Sequence, residues 1–235
     1  MTGARRHAQA SAGSGVHRFR VRTVVFDLDG TLADAVPDIA DAVDVMLKAL
    51  SRPTLDVAQV RSMLGDGVHE LVKRALTATG GVTEPIFTEG FARFVGQYEA
   101  HLADRSRPWP GVEEALSALE ADGVQLAICT NKLDYLTRPF LDAMGWKGRF
   151  PSVVCGDTLD VRKPDPAPLL EAIRRTGVGP AAFVGDTVVD LTTARAARVP
   201  CLLMHLDEGA IVPAGADPGQ VLTSFAELPD ALAAL

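Results

Sequence analysis

Asp27-Leu28-Asp29-Gly30-Thr31 closes the most strand-like run of the chain, Val21 to Phe26. Side chains two apart on extended backbone project to one side, so both carboxylates can face one crevice. Gly30 lets the chain turn there without a Cβ penalty, although Asp-Gly is also an ordinary turn that Asp29 could cap. Gly185-Asp186-Thr187-Val188-Val189-Asp190 follows another apolar run. Its two aspartates, four apart, come to one side if a helix begins there. The alternative is a helix N-cap at Asp186 and a solvated Asp190. Together with Asp27 they would make a hard, oxygen-rich pocket suited to Mg²⁺. So many acids at one crevice repel one another unless a cation joins them.

Two further elements supply positive charge and donors. Lys163 stands in Val161-Arg162-Lys163-Pro164-Asp165-Pro166, where the following proline holds it extended and could aim it at one place. Thr130-Asn131-Lys132 ends a third apolar run, and its hydroxyl, amide and ammonium could all donate to phosphate oxygens. Each element alone also has a bland use in a turn, a cap or a solvated loop. Together, each following an expected strand, they have the acid, donor and cation types that phosphoryl transfer needs.

The elements that would position these residues alternate. Strand-like runs at Val124–Cys129, Ser152–Cys155, Ala181–Val184 and Pro200–Met204 are separated by segments with helical spacing, such as Val112, Ala115, Leu116 and Leu119. That pattern predicts βαβ units, a doubly wound parallel sheet and an α/β fold. Residues 37–104 break it with three helical stripes: Ile39 to Leu50, Val68 to Leu76, and Phe87 to Leu102. They read as an inserted α-helical cap, returning to the core where Arg107-Pro108-Trp109-Pro110-Gly111 cannot continue a helix. The expected division is a flexible tail over 1–20, a core over 21–36 and 105–235, and a cap over 37–104.

Composition narrows the function. The 235 residues are 47% hydrophobic and 23% charged, as in a folded globular chain. A net charge of −7 without a broad basic stripe argues against a nucleic-acid partner. Apolar runs of the roughly 18 residues that span a bilayer are missing, which argues against a membrane role. Cys129, Cys155 and Cys201 lie far apart without CxxC spacing, as expected of buried reduced thiols in a cytoplasmic protein.

The order and spacing of these motifs resemble the haloacid dehalogenase superfamily, with its DxDGT, a Thr or Ser after the second strand, a following Lys and an acidic GDxxxD. Within it, the stretches DLDGTLADAVPDIADA, GDGVHELVKRAL, YEAHL, CTNK, KPDPAPLL and VGDTVVDLTTARAA are most similar to the phosphoglycolate phosphatase branch. The resemblance implies a phosphomonoester hydrolase with Asp27 as nucleophile, Asp29 as general acid and base, and Lys163 neutralising charge. It implies Mg²⁺ held by Asp27, the Asp29 carbonyl and Asp186, supported by Asp190, with Thr130 and Asn131 on the phosphate. It also implies an aspartyl-phosphate intermediate.

An acid at Asp29 points to phosphate esters, because the resembling dehalogenases and phosphonatases lack one there. Specificity is expected in the cap, where Gly65 and Gly67 would bring backbone to the substrate. Lys132 and Arg74 are candidates for a substrate carboxylate, and a solvated helix face is the alternative for Arg74. The expected substrate is 2-phosphoglycolate. Sugar or amino-sugar phosphates, pyrophosphate, a phosphoryl mutase and a non-catalytic binding module are the alternatives, and monomer or homodimer stays open. Asp27→Asn is expected to abolish turnover, and Lys163→Ala to spare folding while cutting the rate. Ala35, Arg198 and the run His205 to Gly209 depart from the branch's pattern.

Overall fold

The computed structural model describes residues 18–177, 179–207 and 212–235. The tail expected over 1–20 lies, as far as residue 17, outside them, as do Glu208 and Gly209 of the departing run.

A first strand, β1 (Thr23–Phe26), leads into a two-residue strand, β2 (Ala33–Asp34). Four helices follow: α1 (Val36–Ala49), α2 (Val57–Arg61), α3 (Val68–Ala78) and α4 (Glu84–Ala100). The chain returns through β3 (Arg107–Pro108) and α5 (Val112–Ala121) to β4 (Gln125–Cys129), α6 (Asp134–Ala143) and β5 (Ser152–Val154). It continues with α7 (Ala167–Thr176), β6 (Ala181–Gly185), α8 (Val188–Ala197), β7 (Cys201–Met204), β8 (Val221–Leu222) and α9 (Leu228–Ala234). Six strands form a parallel sheet in the order β5-β4-β1-β6-β7-β8. The fold is therefore α/β with an inserted helical region, as the alternation predicts.

Alternation along β1 explains the two layers. Val24 and Phe26 face a core that takes in Leu116 and Leu119 of α5, Phe140 of α6 and the inserted helices. Val25 faces the other way, onto Leu169 and Ala172 of α7 and Leu191 and Ala194 of α8. β1 is central, with chain order reversing across it between β4 and β6. The carboxyl ends of strands at such a switch point form a crevice where α/β folds bind ligands.

The antiparallel β2–β3 ribbon, with Ala33 opposite Pro108 and Asp34 opposite Arg107, ties together the two ends of the insertion. Asp38 of α1, 3% exposed, reinforces it. Its carboxylate accepts Arg105 N–H at 2.9 and 3.1 Å, and Ser106 N–H and Oγ–H at 2.7 and 2.5 Å. On the inner faces Ile39, Val43, Met46 and Leu47 pack with Leu71, Val72, Leu76, Phe94 and Tyr98, the stripes read from the sequence.

One expected boundary is corrected. Phe19 falls within the expected tail, yet it is 2% exposed and belongs to the main core. Asp122 accepts the backbone N–H of Arg18 and of Phe19, and the Arg18 guanidinium pairs with Asp230. Burial of one aromatic ring outweighs the polar composition of its neighbours.

Candidate active site

Asp27 sits one residue beyond β1, its N–H donating to Val184 O at 2.9 Å, so the sheet fixes its backbone. Asp186 sits one residue beyond β6, the neighbouring strand. Carboxylate oxygens of Asp27, Asp186 and Asp190 all lie within 4.8 Å of one another. The GDxxxD segment does this through a helix cap in which Thr187, not Asp186, is the N-cap. Asp190 N–H donates to Thr187 Oγ1, while Asp190 Oδ2 accepts Thr187 N–H at 3.0 Å. Asp190 is fully buried rather than solvated, which leaves its other oxygen, Oδ1, to accept Lys163 Nζ at 2.6 Å. Lys163 Nζ also lies 2.9 Å from Asp27 Oδ1.

Burial pushes the Asp27 carboxyl up to about 6, with Asp190 adding to the rise and Lys163 opposing it. Burial likewise raises Asp186 well above the carboxylate range, reinforced by Asp190 and Asp27. Burial works against the Lys163 ammonium, but Asp190 and Asp27 more than offset it and hold its pKa above that of an ordinary lysine. One lysine thus faces three acids, an arrangement short of positive charge.

A cation would meet that shortage. Asp186 Oδ1 accepts Thr31 Oγ–H at 2.6 Å, and its Oδ2 faces Gly30, where a Cβ would come within 2.4 Å. Gly30 has φ +90, so both the backbone and the space demand glycine. The donors present are hard carboxylate oxygens, which fit a hard divalent cation and not a thiophilic one.

Beside this cluster lies a cavity of about 60 Å³, lined on the sheet side by Asp27, Asp29, Thr130, Asn131 and Lys132. The inserted helices contribute Gly65, Gly67, Val68, Leu71, Phe94 and Tyr98. Both glycines have positive φ, and a Cβ on Gly67 would approach Asn131 O at 3.0 Å. Asn131 uses its side-chain amide differently from the sequence reading. Its Nδ2 donates to Gly65 O and to Lys163 O, each at 2.9 Å, so both amide hydrogens are spent on protein.

Lys132 is not a free cation either, for its ammonium is buried on Asp29 and Tyr98. Arg74 is not brought to the cavity. It pairs with Asp66 and donates to Met63 O at 2.9 Å, bracing the loop that carries Gly65 and Gly67. Tyr98, Phe94 and Leu71 are cavity residues that the sequence shows only as members of helical stripes.

The model of the haloacid dehalogenase-like hydrolases matches residues 21–198, and the chain belongs to that family. Among similar proteins, the phosphoglycolate phosphatase of Chromobacterium violaceum is 37% identical over 214 residues, covering 89% of this chain and 96% of that protein. That of Caulobacter vibrioides is 37% identical over 223 residues, covering 93% of each. The crystal structure of a predicted phosphoglycolate phosphatase from Haemophilus somnus superposes with a TM-score of 0.82 at 31% identity, covering 92% of this chain and 99% of that one. Among the described residues, no helix is long and apolar enough to cross a membrane.

Proposed function

We propose that the chain is a Mg²⁺-dependent phosphatase whose substrate is 2-phosphoglycolate. The observation that carries the reading is Lys163 Nζ placed between Asp27 and Asp190, beside Asp186, at the carboxyl end of β1. A carboxylate and a phosphate dianion repel each other, and this arrangement answers that repulsion. Lys163 meets charge on the nucleophile's side. Asp27, Asp186 and the Asp29 carbonyl would hold Mg²⁺, which when bound supplies the remaining positive charge against the phosphoryl oxygens. Asp190 anchors Lys163 and the start of α8.

In this reading an Asp27 oxygen attacks phosphorus in line, forming an acyl-phosphate bond as the ester P–O bond breaks. Asp29 gives the leaving alkoxide a proton, then takes one from the water that hydrolyses the acyl phosphate. The Thr130 hydroxyl and the Asn131 backbone N–H meet phosphate oxygens. The family resemblance and the relatives' names support the substrate.

Phosphate release with Mg²⁺ across 2-phosphoglycolate, sugar and amino-sugar phosphates, pyrophosphate and a nucleotide tests this. A kcat/KM for 2-phosphoglycolate well above the others is the expected result. Preference for another ester would move the substrate, and no release from any would overturn the reading.

A further inference from the structure

Lys132 Nζ donates to both oxygens of Asp29, at 2.9 and 3.1 Å, and to Tyr98 Oη at 2.5 Å. Its side chain is 3% exposed, with Nζ 4.8 Å from the Tyr98 ring centre and 4.3 Å from that of Phe140. Tyr98 comes from α4, 34 residues away, and is equally buried. Burial first, and then Asp29 and Asp38, push its phenol well above the usual range, so the hydroxyl keeps its proton. That hydroxyl accepts from Lys132 and donates to no other described residue. Both side chains line the cavity, whose nearby walls Leu71, Phe94 and Leu136 are apolar. The Lys132 ammonium already holds Asp29, so the donor left over is the buried Tyr98 O–H, to which the apolar walls offer no acceptor and which a small anion bridging it and Lys132 would satisfy.

We infer that Tyr98 and Lys132 form an anion subsite for the carboxylate of a phosphorylated acid, and that Tyr98 sets the preference for such substrates. The inference rests on the phosphatase reading above. A carboxylate fits better than a second phosphate, because two donors match its two oxygens and Asp29 stands beside them. When Lys132 turns to the substrate's carboxylate it gives up a bond to Asp29, which frees an Asp29 oxygen to face the leaving group. Filling the subsite and releasing Asp29 are then one exchange of partners.

Calorimetric binding of 3-phosphonopropionate and of propylphosphonate to the Mg²⁺-loaded protein tests this without turnover. Wild type should favour the carboxylate-bearing ligand by about a hundredfold, and Tyr98→Phe should lower that preference about tenfold. Lys132→Gln should remove it. If Lys132→Gln does not fold, Tyr98→Phe alone decides. Equal weakening of both ligands in Tyr98→Phe would make Tyr98 merely structural and overturn the inference, as would an unchanged preference or none in wild type. Phosphate release across the whole ester panel scores the phosphatase reading separately, so the two can fail independently.

Discussion

Lys163 and Asp190 form an ion pair at 2.6 Å with side chains 2% and 0% exposed. Neither partner has water to fall back on. Asp190→Ala leaves Lys163 with Asp27 alone and takes the acceptor from Thr187 at the start of α8, so it should cost about 3 kcal/mol in urea unfolding. A loss under about 1 kcal/mol, typical of exposed pairs, would contradict this burial.

The sequence suggested that Lys163→Ala would spare folding. The structure argues otherwise, since the substitution strands Asp27 and Asp190 together out of water. Asp27→Asn is the cleaner probe, because Lys163 keeps Asp190. It should fold like wild type and lose at least about a thousandfold in phosphate release. Wild-type rates in Asp27→Asn would remove Asp27 as nucleophile.

Asp27 also predicts a pH dependence. Its carboxyl rises from 3.8 to about 6 on folding, so between those values the folded state binds more protons than the unfolded one. On its account the metal-free protein is most stable below about pH 4 and loses stability as pH rises towards about 6. Mg²⁺ binding the ionised acids should reverse this, raising Tm at pH 7.5 far more than at pH 4.5. Equal Mg²⁺ effects at both values would argue against metal binding to Asp27.

Gly30→Ala places a methyl against Asp186 Oδ2 at a positive φ. It should abolish the Mg²⁺-dependent rise in Tm and reduce phosphate release by at least about a hundredfold. A variant that keeps its response to Mg²⁺ would mean that Asp186 is free to move aside.

Arg198 ends α8 in the left-handed conformation, φ 57 and ψ 40, with its side chain exposed. Glycine accepts that geometry without Cβ strain, so Arg198→Gly should stabilise the fold by about 1 kcal/mol and leave kinetics alone. Thermal melts would show a loss instead if the guanidinium makes a stabilising contact.

The acids and Lys163 were legible because each lies in a short motif: Asp27 and Asp29 just past β1, Asp186 just past β6 with Asp190 in the first turn of α8, and Lys163 in the proline-stiffened loop before α7. Tyr98 was not, since it meets Lys132 only because α4, packed on α1 and α3, carries it there, and in the sequence it is one more apolar position. Asn131 and Lys132 were visible as donors, but which groups they would serve depends on Gly65, Asp29 and Tyr98, each supplied by another segment. Arg74 looked available because its partner Asp66 lies eight residues back, in the loop before α3, outside the helical spacing. β2, β3 and β8 are two residues long and leave no periodicity to read. Phe19 was hidden by the arginines flanking it.

Asn131 Nδ2 holds the carbonyls of Gly65 and Lys163 with one amide group. Gly65 belongs to the loop before α3 and Lys163 to the loop before α7, so one side chain fastens two walls that lie far apart in the sequence. Whatever disturbs Asn131 is therefore felt on both sides of the cavity at once.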